Sequence, residues 1–286
     1  MTAPIVLTAA PVGFAPDGSV DLAASRRILE FIADSGTDGA FVLGTTGEFP
    51  SLSRQERHEL AKVSLQVLRG KRVVVHVGAP SAFQVRSLIA DVRELGASAV
   101  AVITPYYLLA GDDAIVEFYR SVTAAADDLE VYAYLFTART GNTVGPELLT
   151  RIAALPNVVG AKISGETIEA VAAYREAVPP GFQLFTGGDR DVARAAAHGV
   201  DGVVSGVASV FPKPFVEAAA GAHDDEAASR LQTAVDIAVD AVRGDPERMK
   251  AGLALQGVAA GTSRMALDSV DAEGRAELER AIAALR

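Results

Sequence analysis

Eight short apolar runs recur along the chain, and most of them end at glycine, threonine, serine or proline. They cover residues 5–12, 39–44, 73–78, 99–104, 131–136, 158–164, 182–187 and 202–207. Segments with the apolar period of an amphipathic helix lie between them, at residues 22–35, 54–68, 81–95, 113–126, 146–155, 168–177 and 189–198. Strand and helix are therefore predicted to alternate along most of the sequence.

The apolar runs show no polar face, which is typical of parallel strands covered by helices on one side and by a packed interior on the other. Eight such units in roughly 210 residues predict an α/β fold, a closed (β/α)8 TIM barrel, for which ~250 residues is typical. An open doubly wound sheet is the alternative. We assign residues 1–214 to the barrel, and 215–286 to a C-terminal helical extension packed on it, because no further strand-like run follows.

Composition argues against proteins that bind nucleic acid or membranes. The 286 residues are 50% apolar and carry a formal net charge of -10, which opposes affinity for nucleic acid or an anionic membrane surface. No apolar stretch reaches the ~18 residues of a membrane span, and the N-terminal segment lacks the basic start of a signal peptide. We therefore predict a cytoplasmic protein with neither nucleic acid nor membrane as a partner.

Metal and cofactor motifs are missing from the sequence. There is no cysteine, and the four histidines are far apart, with no H-E-x-x-H pattern. Neither G-x-x-x-x-G-K-[ST] nor G-x-G-x-x-G follows a predicted strand, and Asp189 would repel a phosphate at the seventh strand end. No metal or cofactor is expected, and His76, inside a valine-rich run, is interpreted as a hydrogen-bonded core residue.

Active sites of parallel barrels lie at the carboxyl ends of the strands, where one lysine stands out. Of five lysines, Lys162 alone lies in an apolar strand, and those at 62, 71, 213 and 250 are expected at the surface. An apolar surrounding favours the neutral amine, which can attack a carbonyl and form an imine. The alternative is a structural lysine that pairs with Glu48 or Asp189.

Two tyrosines and two threonines lie at neighbouring strand ends. Tyr134 follows Tyr132 by two residues, so both phenols are predicted on one face, and Tyr134 could serve as a general acid and base near an imine. Thr45 and Thr46 lie between glycines, where exposed backbone N–H groups could hold a carboxylate. An ordinary core tyrosine and an ordinary tight turn are the alternatives.

Four features taken together resemble one family: the segment 44–48 (G-T-T-G-E), the segment 104–107 (T-P-Y-Y), Tyr134 seven residues before Gly141, and Lys162. This conjunction is similar to the dihydrodipicolinate synthase and N-acetylneuraminate lyase family of pyruvate-dependent class I aldolases. The similarity covers nearly the whole chain. It implies a lyase that forms or cleaves a carbon–carbon bond through a lysine imine.

The resemblance also implies roles for individual residues. Lys162 would form the Schiff base with pyruvate, Tyr134 would transfer protons, and Thr45 would relay them between Tyr134 and Tyr107 of an adjoining subunit. Further residues are expected to bind the substrates: Thr46 the carboxylate of pyruvate, Arg139 that of the second substrate, with Gly187 and Val204 at the site. The expected partners are pyruvate, a small aldehyde and further copies of the chain, as a dimer or tetramer.

The identity of the aldehyde depends on weaker signals. Arg139 and the double threonine favour 4-hydroxy-tetrahydrodipicolinate synthase, which uses aspartate semialdehyde, and an aldolase for 2-keto-3-deoxy sugar acids is the alternative. Leu135, Thr137 and Ile163 replace the Asn, Pro and acidic residue that family members usually carry. A hypothesis of another class is an inactive barrel that acts as a sensor or scaffold.

Overall fold

A computed structural model describes residues 3–286, so Met1 and Thr2, the first residues of the predicted barrel, lie outside the described part. Eight parallel strands pair in chain order and close into a barrel, β1 pairing with both β2 and β8. The strands are β1 Ile5–Ala9, β2 Gly39–Val42, β3 Arg72–His76, β4 Ala99–Ile103, β5 Glu130–Leu135, β6 Val158–Ile163, β7 Gln183–Thr186 and β8 Gly202–Ser205. The predicted barrel is confirmed.

Helices follow the strands and cover the barrel. They are α1 Leu22–Ala33, α2 Arg54–Val67, α3 Ala82–Glu94, α4 Asp112–Ala126, α5 Thr137–Thr140, α6 Pro146–Ala153, α7 Ile168–Ala173, α8 Pro212–Ala220, α9 Asp225–Val242, α10 Pro246–Leu255 and α11 Ala272–Ala284. Short polar side chains set several starts: Ser53 and Glu56, for example, form a reciprocal capping box at α2.

The segment after β7 differs from the prediction. Two 3-10 turns, Asp189–Asp191 and Ala196–His198, stand where the periodicity predicts a helix over 189–198. The carboxylates of Asp189 and Asp191 accept hydrogen bonds from Ser205 and Thr186 at the ends of β8 and β7. These bonds tie the first turn to the strand ends, which periodicity alone does not reveal.

Two apolar clusters hold the fold together. The larger one fills the layer between the barrel and its helices. The smaller one fills the barrel itself, with Phe41, Tyr132, Tyr134, Phe185 and Val204 among its members. The phenols of Tyr132 and Tyr134 therefore lie on the same, inner face of β5, as their spacing predicts.

The C-terminal helices continue from the barrel without a break. Helix α8 begins at Pro212 and crosses position 214, α9 packs on α8, and α11 packs on α10. The division at residue 214 stays a prediction, although that position lies inside α8. Within residues 3–286, no helix combines the length and apolar character needed to cross a membrane.

Candidate active site

Lys162 lies on the inner face of β6 with only 7% of its surface exposed. It is the register partner of Tyr134 on β5, and its Nζ lies 4.3 Å from the centroid of the Tyr134 ring. The ring of Phe41 lies on another side, with its centroid 4.7 Å from Nζ. Two aromatic faces thus fix the position of the amine inside the barrel.

The structure does not support the pairings considered for a purely structural lysine. Glu48 lies 2.7 Å from Nζ of Lys250, and the Asp189 carboxylate accepts a hydrogen bond from Ser205. Lys162 has no ion-pair partner among the side chains that the structure describes. The expectation that Lys250 is at the surface is wrong, because this side chain is 1% exposed and its ammonium is paired with Glu48.

The Tyr134 hydroxyl meets Thr45 at the end of β2. Tyr134 is 1% exposed, and its hydroxyl oxygen lies 3.2 Å from Oγ1 of Thr45, at hydrogen-bond distance. Thr45 belongs to a tight turn that is flanked by two residues in the left-handed region, Leu43 with φ 60° and Glu48 with φ 54°. The turn therefore places the Thr45 hydroxyl beside the Tyr134 phenol, although the two residues are 89 positions apart in the sequence.

Three of the predicted binding residues surround the same end of the barrel. Thr46 faces the end of β8, because a Cβ at Gly206 would lie 3.3 Å from the Thr46 hydroxyl. Gly187 directly follows β7 and packs so closely on Ser164 that a Cβ would lie 2.1 Å from the Ser164 hydroxyl, so any other residue here would force Ser164 to move. Val204 is a buried member of the inner cluster on β8.

Arg139 lies on the short helix α5, with its guanidinium 5.7 Å from the centroid of the Phe136 ring. It lines a cavity of about 270 Å³ with Thr45. The other lining residues are mainly apolar or aromatic: Glu48, Phe49, Pro50, Ile103, Tyr106, Pro246, Met265 and Leu267. The Thr45 hydroxyl and the Arg139 guanidinium both face this cavity, so a small molecule that enters it would meet both groups.

The C-terminal extension forms part of this cavity because Glu48 binds it. The second oxygen of the Glu48 carboxylate accepts the backbone N–H groups of Arg264 and Met265 at 2.8 and 2.7 Å. Burial lowers the pKa of the Lys250 ammonium that pairs with Glu48, and the carboxylate opposes this shift. Because each buried charge satisfies the other, the pair fixes the segment after α10 against the turn that holds Thr45.

Tyr107 is a predicted site residue that the structure leaves at the surface. It follows β4 in the left-handed region with φ 80°, and 92% of its surface is exposed. Leu108 and Leu109 beside it are 74% and 81% exposed. Within one chain, the Tyr107 phenol therefore does not join the hydrogen bond between Thr45 and Tyr134.

Asp189 adds a carboxylate near the lysine. Burial raises the pKa of Asp189, and the Ser205 hydrogen bond and the Lys162 charge act in the opposite direction. Sequence analysis considered Asp189 only as a strand-end residue and as a pairing partner of a structural Lys162. Sequence analysis did not place three further features at the site: Phe41, His76 and the Glu48–Lys250 pair. The sequence does show a histidine among valines and a lysine in a helical segment, but it does not show what these two residues contact.

Comparisons with known proteins identify the family of the chain. The model of the Dihydrodipicolinate synthetase family matches residues 4–285. An uncharacterized DapA-like lyase of Halobacterium salinarum is 33% identical over 99% of this chain and 92% of its own. A 4-hydroxy-tetrahydrodipicolinate synthase of Synechococcus sp. is 31% identical over 98% and 95%. The crystal structure of dihydrodipicolinate synthase from Thermotoga maritima has a TM-score of 0.91 at 28% identity, covering 99% of both chains.

Fold, site and relatives together define a lyase built on a (β/α)8 barrel. The chain belongs to the dihydrodipicolinate synthetase family. Membership in a family of lyases favours an enzyme over the sensor or scaffold hypothesis.

Proposed function

We propose that the chain forms or cleaves a carbon–carbon bond next to the carbonyl of pyruvate, through an imine at Lys162. The observation that carries the proposal is the enclosed amine of Lys162 beside a tyrosine whose hydroxyl meets Thr45. A nucleophile in an apolar pocket, next to a group that can move protons, is the arrangement that imine formation requires.

The first half of the reaction builds the imine. Lys162, with its amine in the neutral form, adds to the keto carbon of pyruvate. The keto oxygen takes up a proton and the nitrogen loses one to the same proton relay, which gives a carbinolamine. That oxygen then takes a second proton and leaves as water, and the nitrogen lone pair forms the C=N bond. Tyr134 donates the protons and is reprotonated through Thr45. Thr46 holds the pyruvate carboxylate beside Gly187 and Val204.

The second half uses the imine as an electron sink. Loss of a methyl proton gives an enamine, whose carbon attacks an aldehyde, and the aldehyde oxygen takes up a proton. Water then releases the product from Lys162, and cleavage runs through the same steps in reverse. Arg139 stands at the cavity where the aldehyde enters and would bind a carboxylate on it through a charge-assisted hydrogen bond.

Aspartate semialdehyde is the first candidate for the aldehyde, which would make the chain a 4-hydroxy-tetrahydrodipicolinate synthase. The support is the Arg139 position and the names of relatives that are 28 to 31% identical. The alternative, an aldolase for 2-keto-3-deoxy sugar acids, would use an acceptor with several hydroxyl groups. Apolar side chains dominate the cavity wall, and hydroxyl groups buried there without partners would cost about 1–3 kcal/mol each.

Incubation of pyruvate with a panel of aldehydes tests this choice. We expect pyruvate consumption to be fastest with aspartate semialdehyde, slower with glyceraldehyde, and slowest with propionaldehyde, which has no carboxylate. Arg139→Gln should raise the KM for aspartate semialdehyde by roughly tenfold, because one charge-assisted hydrogen bond contributes about 1.5–3 kcal/mol. The KM for pyruvate should not change.

The Lys162→Ala variant, measured with each aldehyde, gives the background rate of pyruvate consumption. Glyceraldehyde as the best acceptor would favour the sugar-acid aldolase. An unchanged KM for aspartate semialdehyde in the Arg139→Gln variant would contradict the role given to Arg139.

We also propose that a second copy of the chain completes the site with its Tyr107. The support is the exposure of Tyr107 together with Leu108 and Leu109, since three adjacent apolar or aromatic side chains at 74 to 92% exposure are typical of an interaction surface. One structural neighbour, 28% identical with a TM-score of 0.91, is described as a monomeric dihydrodipicolinate synthase variant. The oligomeric state therefore needs its own test.

Subunit complementation is that test. Lys162→Ala should be inactive and Tyr107→Phe slow, but a mixture of the two should be faster than the sum of its parts. In a mixed dimer, the intact Tyr107 of the Lys162→Ala chain completes the site of the Tyr107→Phe chain, whose Lys162 is intact. Turnover and sedimentation should be measured at one protein concentration. No gain on mixing, or full activity in a monomer, would contradict the shared site.

A further inference from the structure

A buried histidine at the end of β3 takes no part in the steps described so far. His76 is 0% exposed, and its Nδ1 lies 3.0 Å from the carbonyl oxygen of Leu43. Because a carbonyl can only accept a hydrogen bond, Nδ1 carries the proton. Burial, and then the charges of Arg57 and Lys162, hold the pKa of His76 well below its usual range, so the ring is neutral with a bare Nε2.

The acceptor of this hydrogen bond is the residue on which the Thr45 turn depends. Leu43 has φ 60°, a left-handed conformation that is unfavourable for leucine, and it precedes Gly44 and Thr45 directly. A conformation of this kind persists only where the surroundings hold it. The direction in which the chain leaves Leu43 determines where the Thr45 hydroxyl lies.

The ring of His76 contacts the other partner of the Thr45 bond. It packs edge to face on Tyr134, with centroids 5.9 Å apart, and on Phe49 at 4.5 Å. Gly78 leaves the space that the ring needs, since a Cβ there would lie 2.5 Å from Nε2. One side chain thus touches both the turn that carries Thr45 and the ring that carries the hydroxyl of Tyr134.

Arg57 on α2 holds the strand end from the other side. Its guanidinium donates hydrogen bonds to the carbonyl oxygens of His76 and Gly78 at 2.7 and 2.9 Å. Arg57 is 6% exposed, and the two carbonyl oxygens take the place of a carboxylate partner. The backbone at His76 and just after it is therefore held by one buried charge.

We propose that His76 is a positioning residue for the reaction: its Nδ1–H holds Leu43 in the left-handed conformation, and its ring supports Tyr134, so that the Thr45 and Tyr134 hydroxyls stay at hydrogen-bond distance. The inference rests on the proposed function, because it concerns the proton relay of that same site. His76 itself touches neither the substrate nor the imine.

Two substitutions separate the contributions of His76. His76→Phe keeps a ring against Tyr134 but removes the donor to Leu43, whereas His76→Asn keeps an N–H group close to the position of Nδ1. The measurement is the time course of imine formation, with pyruvate added, the reaction quenched by borohydride at intervals, and the adduct at Lys162 counted. We expect His76→Phe to slow imine formation and kcat about tenfold, equivalent to about 1.4 kcal/mol.

The final yield of adduct distinguishes a positioning role of His76 from a merely structural one. In His76→Phe the final adduct should still reach one per chain and the KM for pyruvate should stay the same, and His76→Asn should recover most of the rate. A rate equal to that of the unmodified chain in His76→Phe would overturn the proposal. A normal rate per site with fewer sites trapped would also overturn it, since that result indicates loss of folded protein alone.

Lys71→Met is the matched control. Lys71 donates a hydrogen bond of 2.9 Å to the carbonyl oxygen of Thr37, so it links the starts of β3 and β2 as His76 links their ends. This variant should keep the full rate of imine formation, and a tenfold loss would overturn the proposal.

If His76→Phe does not fold, His76→Gln replaces it, because glutamine moves the donor to the position of Nε2. His76→Asn should then be faster than His76→Gln, and equal rates would contradict the proposal. Absence of any adduct in the unmodified chain would instead contradict the proposed function.

Discussion

Lys162→Ala is expected to abolish both turnover and the trapping of pyruvate. Removal of the nucleophile leaves no amine inside the barrel for the keto carbon, so kcat should fall on the order of 10⁴-fold or more. The measurement is mass spectrometry after incubation with pyruvate and borohydride. The unmodified chain should carry one reduced adduct at Lys162, because reduction converts the imine into a stable secondary amine.

The other lysines are internal controls for this experiment. Lys250 is the informative one, because it is buried like Lys162 but its ammonium is paired with Glu48 at 2.7 Å. Hydrogen bonds to the Glu48 carboxylate and to the carbonyl oxygen of Thr262 engage this amine, so Lys250 should stay unmodified. An adduct at Lys250 or at a surface lysine, or the same adduct yield in Lys162→Ala, would refute the imine mechanism.

Tyr134→Phe is expected to lower kcat by roughly 10²-fold or more, the usual contribution of a positioned general acid and base. The substitution removes the hydroxyl that lies 3.2 Å from Thr45 and leaves the ring beside Lys162 in place. Steady-state rates and the time course of borohydride trapping should both show the loss. The final yield of adduct should not change, because the amine is intact.

Tyr132→Phe is the matched control, since it removes the same group from the same face of the same strand. The Tyr132 hydroxyl is bonded to the side chains of Gln183 and Arg72 at the opposite end of the barrel. This variant should lose some stability but keep kcat within about twofold. Unchanged turnover in Tyr134→Phe would contradict the role of general acid and base and leave Tyr134 with a purely structural role.

The order of strands and helices was predictable because the relevant signals are local. Each strand is an apolar run, most of these runs end at a turn-forming residue, and the position of Lys162 inside such a run already separates it from the other lysines. The segment after β7 is the exception. There, 3-10 turns stand in place of the predicted helix, and the side chains of Ser205 and Thr186 donate hydrogen bonds to Asp189 and Asp191.

Prediction of the site came partly from strand ends and partly from the resemblance to a family. The closed barrel brings Lys162, Tyr134 and Thr45 together because parallel strands present all their carboxyl ends at one mouth. The catalytic and binding roles of these residues stay predictions, which the Lys162 and Tyr134 variants test.

By itself, the sequence determined the barrel, the isolated lysine and the polar strand ends, since periodicity and composition act over a few residues. The tertiary structure alone decided which buried charges and ring nitrogens find partners. The Glu48–Lys250 pair spans 202 residues and the bond from His76 to Leu43 spans 33, and neither pairing has a local pattern. Burial favours a partner for each such group, although Nε2 of His76 has none, and the choice of partner depends on which strand ends and helices the closed barrel brings into contact.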